Sequence, residues 1–205
     1  MIGAVELQKV GPGLFLWQAY DPKIKAELFS TAIFTPSGYF LVDPIPLTDP
    51  ALDQLRDAGG VSGVVITNSN HWRASSQFAE RFSVPIFAHP ASFPEQKPSR
   101  FTKVADGVKI SDELEVIAID GAAPGEIVLH FILDGGALII GDALINFSPY
   151  GFTFLPAKYC SNQREMCRSL RKLINYKSER LFFAHGLPIL SRASARLQEL
   201  LVVDR

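Results

Sequence analysis

The feature that most constrains the fold is a pair of short, unbroken apolar runs, VVIT at 64–67 and PIFAH at 85–89, separated by a polar loop and a helical pattern ending at Phe82. A run without polar alternation reads as a strand buried on both faces, and a strand that returns so soon after a helix predicts a parallel βαβ unit. Such a sheet needs cover on both sides. Further strands are predicted at 14–18, 27–35 and 39–44, with Pro36, Ser37 and Gly38 as a hairpin turn, and a short helix near 50–58. A second strand cluster follows at 114–119, 126–133 and 137–140, with Asp134, Gly135 and Gly136 turning the last pair. A helix starting at Asn162 carries Met166, Leu170 and Leu173 on one stripe, then come a strand at 181–184 and a closing helix at 191–201. Two strand clusters with interspersed helices predict an α/β fold of paired sheets with helices on their outer faces. The stretch Phe93–Lys103, with two prolines and three basic residues, reads as a surface loop.

A chain of 205 residues that is 47% hydrophobic and 20% charged fits one domain over 1–205, and no apolar run approaches the ~20 residues of a membrane span. The first residues, MIGAVELQKV, lack the pattern of a signal peptide, so a water-soluble protein of the cytoplasm is expected. With 20 basic and 21 acidic side chains the net charge is −1, which gives no field to hold nucleic acid or an anionic membrane. Cys160 and Cys167 lie seven apart in a helical segment and read as small core residues.

Chemistry in α/β proteins collects where rigid strands end in loops. Here those junctions are TNSNHWR (67–73), GDAL (141–144) and AHG (184–186), joined by Asp43 at the end of YFLV and by GAAPGE (121–126). Their order and spacing resemble the metallo-β-lactamase superfamily from about Phe29 to Pro188. That family carries Thr-His-x-His-x-Asp-His after a buried strand, then Gly-His-x-Pro-Gly, Gly-Asp and Gly-His-Gly motifs. Thr67 is kept, but Asn68 and Asn70 stand for the first two histidines, Trp72 for the aspartate and Arg73 for the third histidine. Ala122 replaces the next histidine, so Asp142 and His185 alone survive as ligand types.

The resemblance implies a four-layer αββα sandwich with a crevice formed by Asn68–Arg73, Gly125, Glu126, Asp142 and His185. Zinc is held by imidazole, thiolate or carboxylate, usually four ligands to a site, and guanidinium and indole are not ligands. A dinuclear centre is therefore not expected. The first expectation is a metal-free relative, a pseudoenzyme whose crevice binds a small, anionic or planar molecule or a protein partner through Asn68, Asn70, His71, Trp72, Arg73 and Glu126. In it Arg73 replaces the missing cation and pairs with Asp142. The second is a hydrolase of esters, thioesters or amides with one zinc, iron or manganese ion on Asp142, His185 and His71. The third is a metal-independent enzyme with Asp142 and His185 as acid and base. His71 lies one position from the family's ligand slots and reads first as a loop hydrogen-bonder. Asp43 reads either as support for the 68–73 loop or as a turn-forming residue before Pro44.

His89 and His130 read as structural. Ser169 and Lys172 match a Ser-x-x-Lys signature without any partner motif, and the basic residues from Arg164 to Arg180 read as a solvated helix face.

Overall fold

The computed structural model describes residue 4 and residues 6–93 and 98–203. Among the described residues the first sheet has seven strands in chain order: β1 (Gln8–Gly11), β2 (Leu14–Asp21), β3 (Ala26–Thr35), β4 (Gly38–Val42), β5 (Val61–Ile66), β6 (Ile86–Ala88) and β7 (Phe101–Lys103). Helix α1 (Asp49–Asp57) joins β4 to β5, and α2 (Ser75–Phe82) joins β5 to β6. The predicted βαβ unit is present, since β4, β5, β6 and β7 run parallel, while β1 to β4 pair antiparallel.

The second sheet has the order β14-β11-β10-β9-β8, built from β8 (Lys109–Ser111), β9 (Leu114–Ala118), β10 (Ile127–Phe131), β11 (Ala137–Ile140) and β14 (Arg180–Phe183). A separate hairpin, β12 (Leu144–Phe147) and β13 (Gly151–Phe154), lies between β11 and α3 (Gln163–Leu170), and α4 (Ala193–Val203) closes the fold. Asn162 caps α3, its side chain accepting from the Glu165 N–H. Among the described residues no helix is long and apolar enough to cross a membrane.

Period-two alternation sorts the strand residues into three cores, one for each interface of a four-layer sandwich. Leu41, Val64 and Ile66 face α1 and α2 with Leu52, Leu55 and Phe78. Phe40, Val42 and Val65 point the other way and meet Leu129, Ile139 and Phe182 between the sheets. Leu138, Ile140, Leu181 and Phe183 face α3 and α4 with Met166, Leu170 and Leu197. The loop predicted at 93–103 is corrected at its end, where Phe101–Lys103 pairs with β6; residues 94–97 lie outside those described. The hairpin β12–β13 is likewise absent from the sequence-based expectation. Its strands are four residues each and open two residues after Asp142, which gives the hairpin a place beside the crevice.

Candidate metal centre

Parallel pairing of β4 with β5 brings Asp43 beside Thr67 at neighbouring strand ends. Asp43 is buried, with a left-handed φ of 47°, and its Oδ1 accepts the Thr67 N–H at 2.8 Å. Its Oδ2 accepts the Thr67 hydroxyl at 2.5 Å and lies 2.9 Å from His71 Nδ1. A carboxylate only accepts, and the single Thr67 hydroxyl proton is committed to it, so Nδ1 of His71 carries the hydrogen. His71 Nε2 then points away from Asp43, into the crevice.

From the second sheet, His185 follows β14 and its Nδ1 lies 3.3 Å from the Glu27 carbonyl oxygen on β3. A carbonyl also only accepts, so this nitrogen too is the donor and Nε2 faces the crevice. Both Nε2 atoms converge on one oxygen: Asp142 Oδ1 is 3.2 Å from His71 and 3.4 Å from His185, and the three ligand atoms lie within 4.8 Å of one another. His71 is only 2% exposed, and its Nε2 is shut off from solvent. Its nearest acceptor is Asp142 Oδ1, at ion-pair distance.

The other oxygen of Asp142 is taken. Oδ2 accepts from the Nδ2 of Asn68 and of Asn70, each at 3.2 Å. The Asn68 amide also donates to Glu126 Oε2 at 2.7 Å, while its own oxygen accepts the Asn70 N–H at 2.8 Å. Glu126 Oε1 accepts the Ala143 N–H at 3.0 Å and so anchors the chain just past Asp142. Gly141 is required there, because a Cβ would lie 2.6 Å from Thr67 Oγ1 and 2.7 Å from Glu126 Oε1.

The charges respond to this crowding. Burial pushes the His71 imidazole down, but Asp142 and Asp43 outweigh it and lift it to about 9. Burial pushes Asp43 and Asp142 up, and the facing His71 overcomes it, holding both carboxyls below their ordinary range. Glu126 is raised to about 8 by burial and then by the Asp142 charge. His185 is lowered to about 4, first by burial, so it is a neutral imidazole at neutral pH. The two carboxylates therefore demand a positive charge between them, which a proton on His71 or a metal ion at its Nε2 supplies.

One sequence expectation is corrected. Arg73 does not pair with Asp142: Nη1 donates to the carbonyls of Phe29 at 2.6 Å and Asp43 at 2.9 Å, and Nη2 to that of Ala184 at 3.4 Å. With φ at 41°, its backbone turns left-handed and its guanidinium binds the carbonyls where the sheets meet. Asp142 is faced instead by His71, its ion-pair partner when protonated, and by the neutral ring of His185. Trp72 stands apart from the Asp142 cluster, its ring packed edge-on against Phe93 at 4.6 Å beside the first outer core. Asn68, Asn70, His71, Glu126, Asp142 and His185 do come together, with Asp43 bonded to Thr67 and His71 behind them. The supporting role of the Glu27 carbonyl left no signal in the sequence, because it depends on packing one sheet against the other. A separate open cavity of about 550 Å³ beside α1 and α2, with Leu47, Leu52 and Phe78 among its lining, shares none of these groups.

The family model described as "Metallo-beta-lactamase superfamily" matches residues 7–203. Comparison with curated proteins gives no match. Among solved structures, a metallo-beta-lactamase from Erythrobacter litoralis is 16% identical with a TM-score of 0.75, covering 99% of this chain and 98% of its own. A metallo-beta-lactamase family protein from Thermus thermophilus is 20% identical with a TM-score of 0.68, covering 95% of this chain and 80% of its own. A third structure, solved in a di-iron-bound form, is 17% identical with a TM-score of 0.66, covering 89% of this chain and 96% of its own.

Proposed function

The chain belongs to the metallo-beta-lactamase superfamily, and from that premise we propose that it is a divergent hydrolase holding one divalent cation on His71, Asp142 and His185. The observation that carries this reading is the convergence of His71 Nε2, His185 Nε2 and Asp142 Oδ1 on a common point, with the Nδ1 proton of each imidazole held by an acceptor behind it. With Nδ1 of each ring committed to an acceptor, both Nε2 atoms face a carboxylate oxygen, and the positive charge this requires is either a proton on His71 or a bound cation in its place. Bonds of about 2.1 Å at tetrahedral angles separate ligand atoms by roughly 3.4 Å, in keeping with the spacings to Asp142. The donor set of two imidazoles and a carboxylate suits zinc, iron or manganese.

The dinuclear arrangement does not fit, since Asn68, Asn70, Trp72 and Arg73 supply no imidazole or carboxylate. A bound cation supplies a polarised carbonyl and an acidified water. The chain's own contribution is to hold it: Asp43 and the Glu27 carbonyl fix the ring orientations, and Asn68 and Asn70 fix Asp142 so that only Oδ1 faces the rings. His185 is the most exposed of the three ligands, at 16% of its side chain, so the open side of the centre lies next to it. By analogy of fold the substrate is an ester, thioester or amide.

The test is metal content after purification without chelators and loading with zinc, iron or manganese. Wild type should carry about one ion per chain, and His71→Ala and His185→Ala should lose it while staying folded. No metal above background in wild type would return the crevice to the metal-free binding role, in which a protonated His71 bridges Asp43 and Asp142 and a small anionic molecule or a protein partner takes the open side.

A further inference from the structure

We propose that the side-chain amide of Asn68 stands in for a second cation, and so fixes the centre at a single metal ion. The proposal deepens the single-cation reading but rests on different contacts. Nδ2 of Asn68 lies between two buried acidic side chains, 2.7 Å from Glu126 Oε2 and 3.2 Å from Asp142 Oδ2. Its orientation is forced, because Oδ1 must face the Asn70 N–H at 2.8 Å, and a backbone N–H can only donate. The amide therefore presents both hydrogens where two carboxyl oxygens converge, which is the task a cation performs between carboxylates.

Asn70 completes the arrangement by donating to the same Asp142 oxygen, so Oδ2 has two N–H partners and Oδ1 is left for the imidazoles. Glu126 acts as a positioning residue: Ala143 N–H holds one of its oxygens, the Asn68 amide the other, and neither is free for an ion. Arg73, buried against carbonyls at the base of the same loop, adds a fixed positive charge that disfavours a further cation. The Asn68 amide hydrogens take the place that a second ion would need between Glu126 and Asp142.

The experiment is a zinc titration of wild type, Asn68→Asp and Asn68→His, with ions per chain counted by native mass spectrometry and elemental analysis after dialysis, and folding followed by circular dichroism. Replacing the amide by a carboxylate or an imidazole turns a donor into an acceptor against Glu126 and Asp142, and each variant is expected to bind one zinc more than wild type. Equal counts in wild type and folded variants would overturn the proposal, as would a second zinc in the wild-type crevice, a measurement that needs no variant to fold. A count of none in wild type and one in the variants would uphold this inference while refuting the single-cation reading. One ion in all three would do the reverse.

Discussion

At the scale of single residues, the decisive exchange is between His71 and Arg73. The arginine is the obvious cation of the loop by its sequence position, yet it is used as a clamp on three carbonyls, and the histidine one step from the family's ligand slots faces Asp142. Sequence position points to the wrong residue because the left-handed φ at Arg73, which sends its side chain between the sheets, cannot be read from residue type. The two roles separate experimentally. Arg73→Ala removes a buried donor from the carbonyl groups of Phe29 and Asp43, the latter keeping the Ser30 hydroxyl, and should cost about 2–4 kcal/mol of stability in urea unfolding while leaving the metal count unchanged. A lost ion in a folded Arg73→Ala protein would show that the guanidinium contributes to the centre directly. Gly141→Ala places a methyl against Thr67 and Glu126, and should both destabilise the fold by about 1–3 kcal/mol and weaken metal binding, since Asp142 is the next residue.

At the scale of elements, legibility followed burial. The strands around VVIT, PIFAH and ALII were readable because both faces are covered and the sequence is apolar throughout. β1, β7 and β8 were not readable, being edge strands of three or four residues with partly solvated side chains. The hairpin β12–β13 was hidden because its aromatic residues pack against the second outer core from one side only. His130 illustrates how an element tolerates a misfit. It sits in β10 opposite Glu115, beside the Tyr176 ring at 4.9 Å, with both ring nitrogens shut off from solvent. Burial first of all holds its imidazole below the ordinary range. The unfolded chain therefore binds the proton more readily, and acidification below about 6.5 draws the equilibrium towards unfolding. His130→Leu should flatten the loss of stability between about pH 6.5 and 5 relative to wild type; parallel curves would remove His130 from the account.

At the scale of the whole molecule, the candidate centre lies on the seam of the sandwich. The first sheet and its loop provide Asp43, Asn68, Asn70, His71 and the Glu27 carbonyl, and the second provides Glu126, Asp142 and His185. An ion held there bridges the two halves, so it should stabilise the chain as a unit. At a free concentration of about 100 times Kd the gain is about 2.7 kcal/mol, and chelation should lower Tm in a single cooperative step. The most direct test of the single-cation centre is an anomalous-scattering map from crystals grown with zinc. One peak per chain is expected, about 2.0–2.2 Å from His71 Nε2, Asp142 Oδ1 and His185 Nε2. A crevice without a peak, with His71 hydrogen-bonded directly to Asp142, would contradict it.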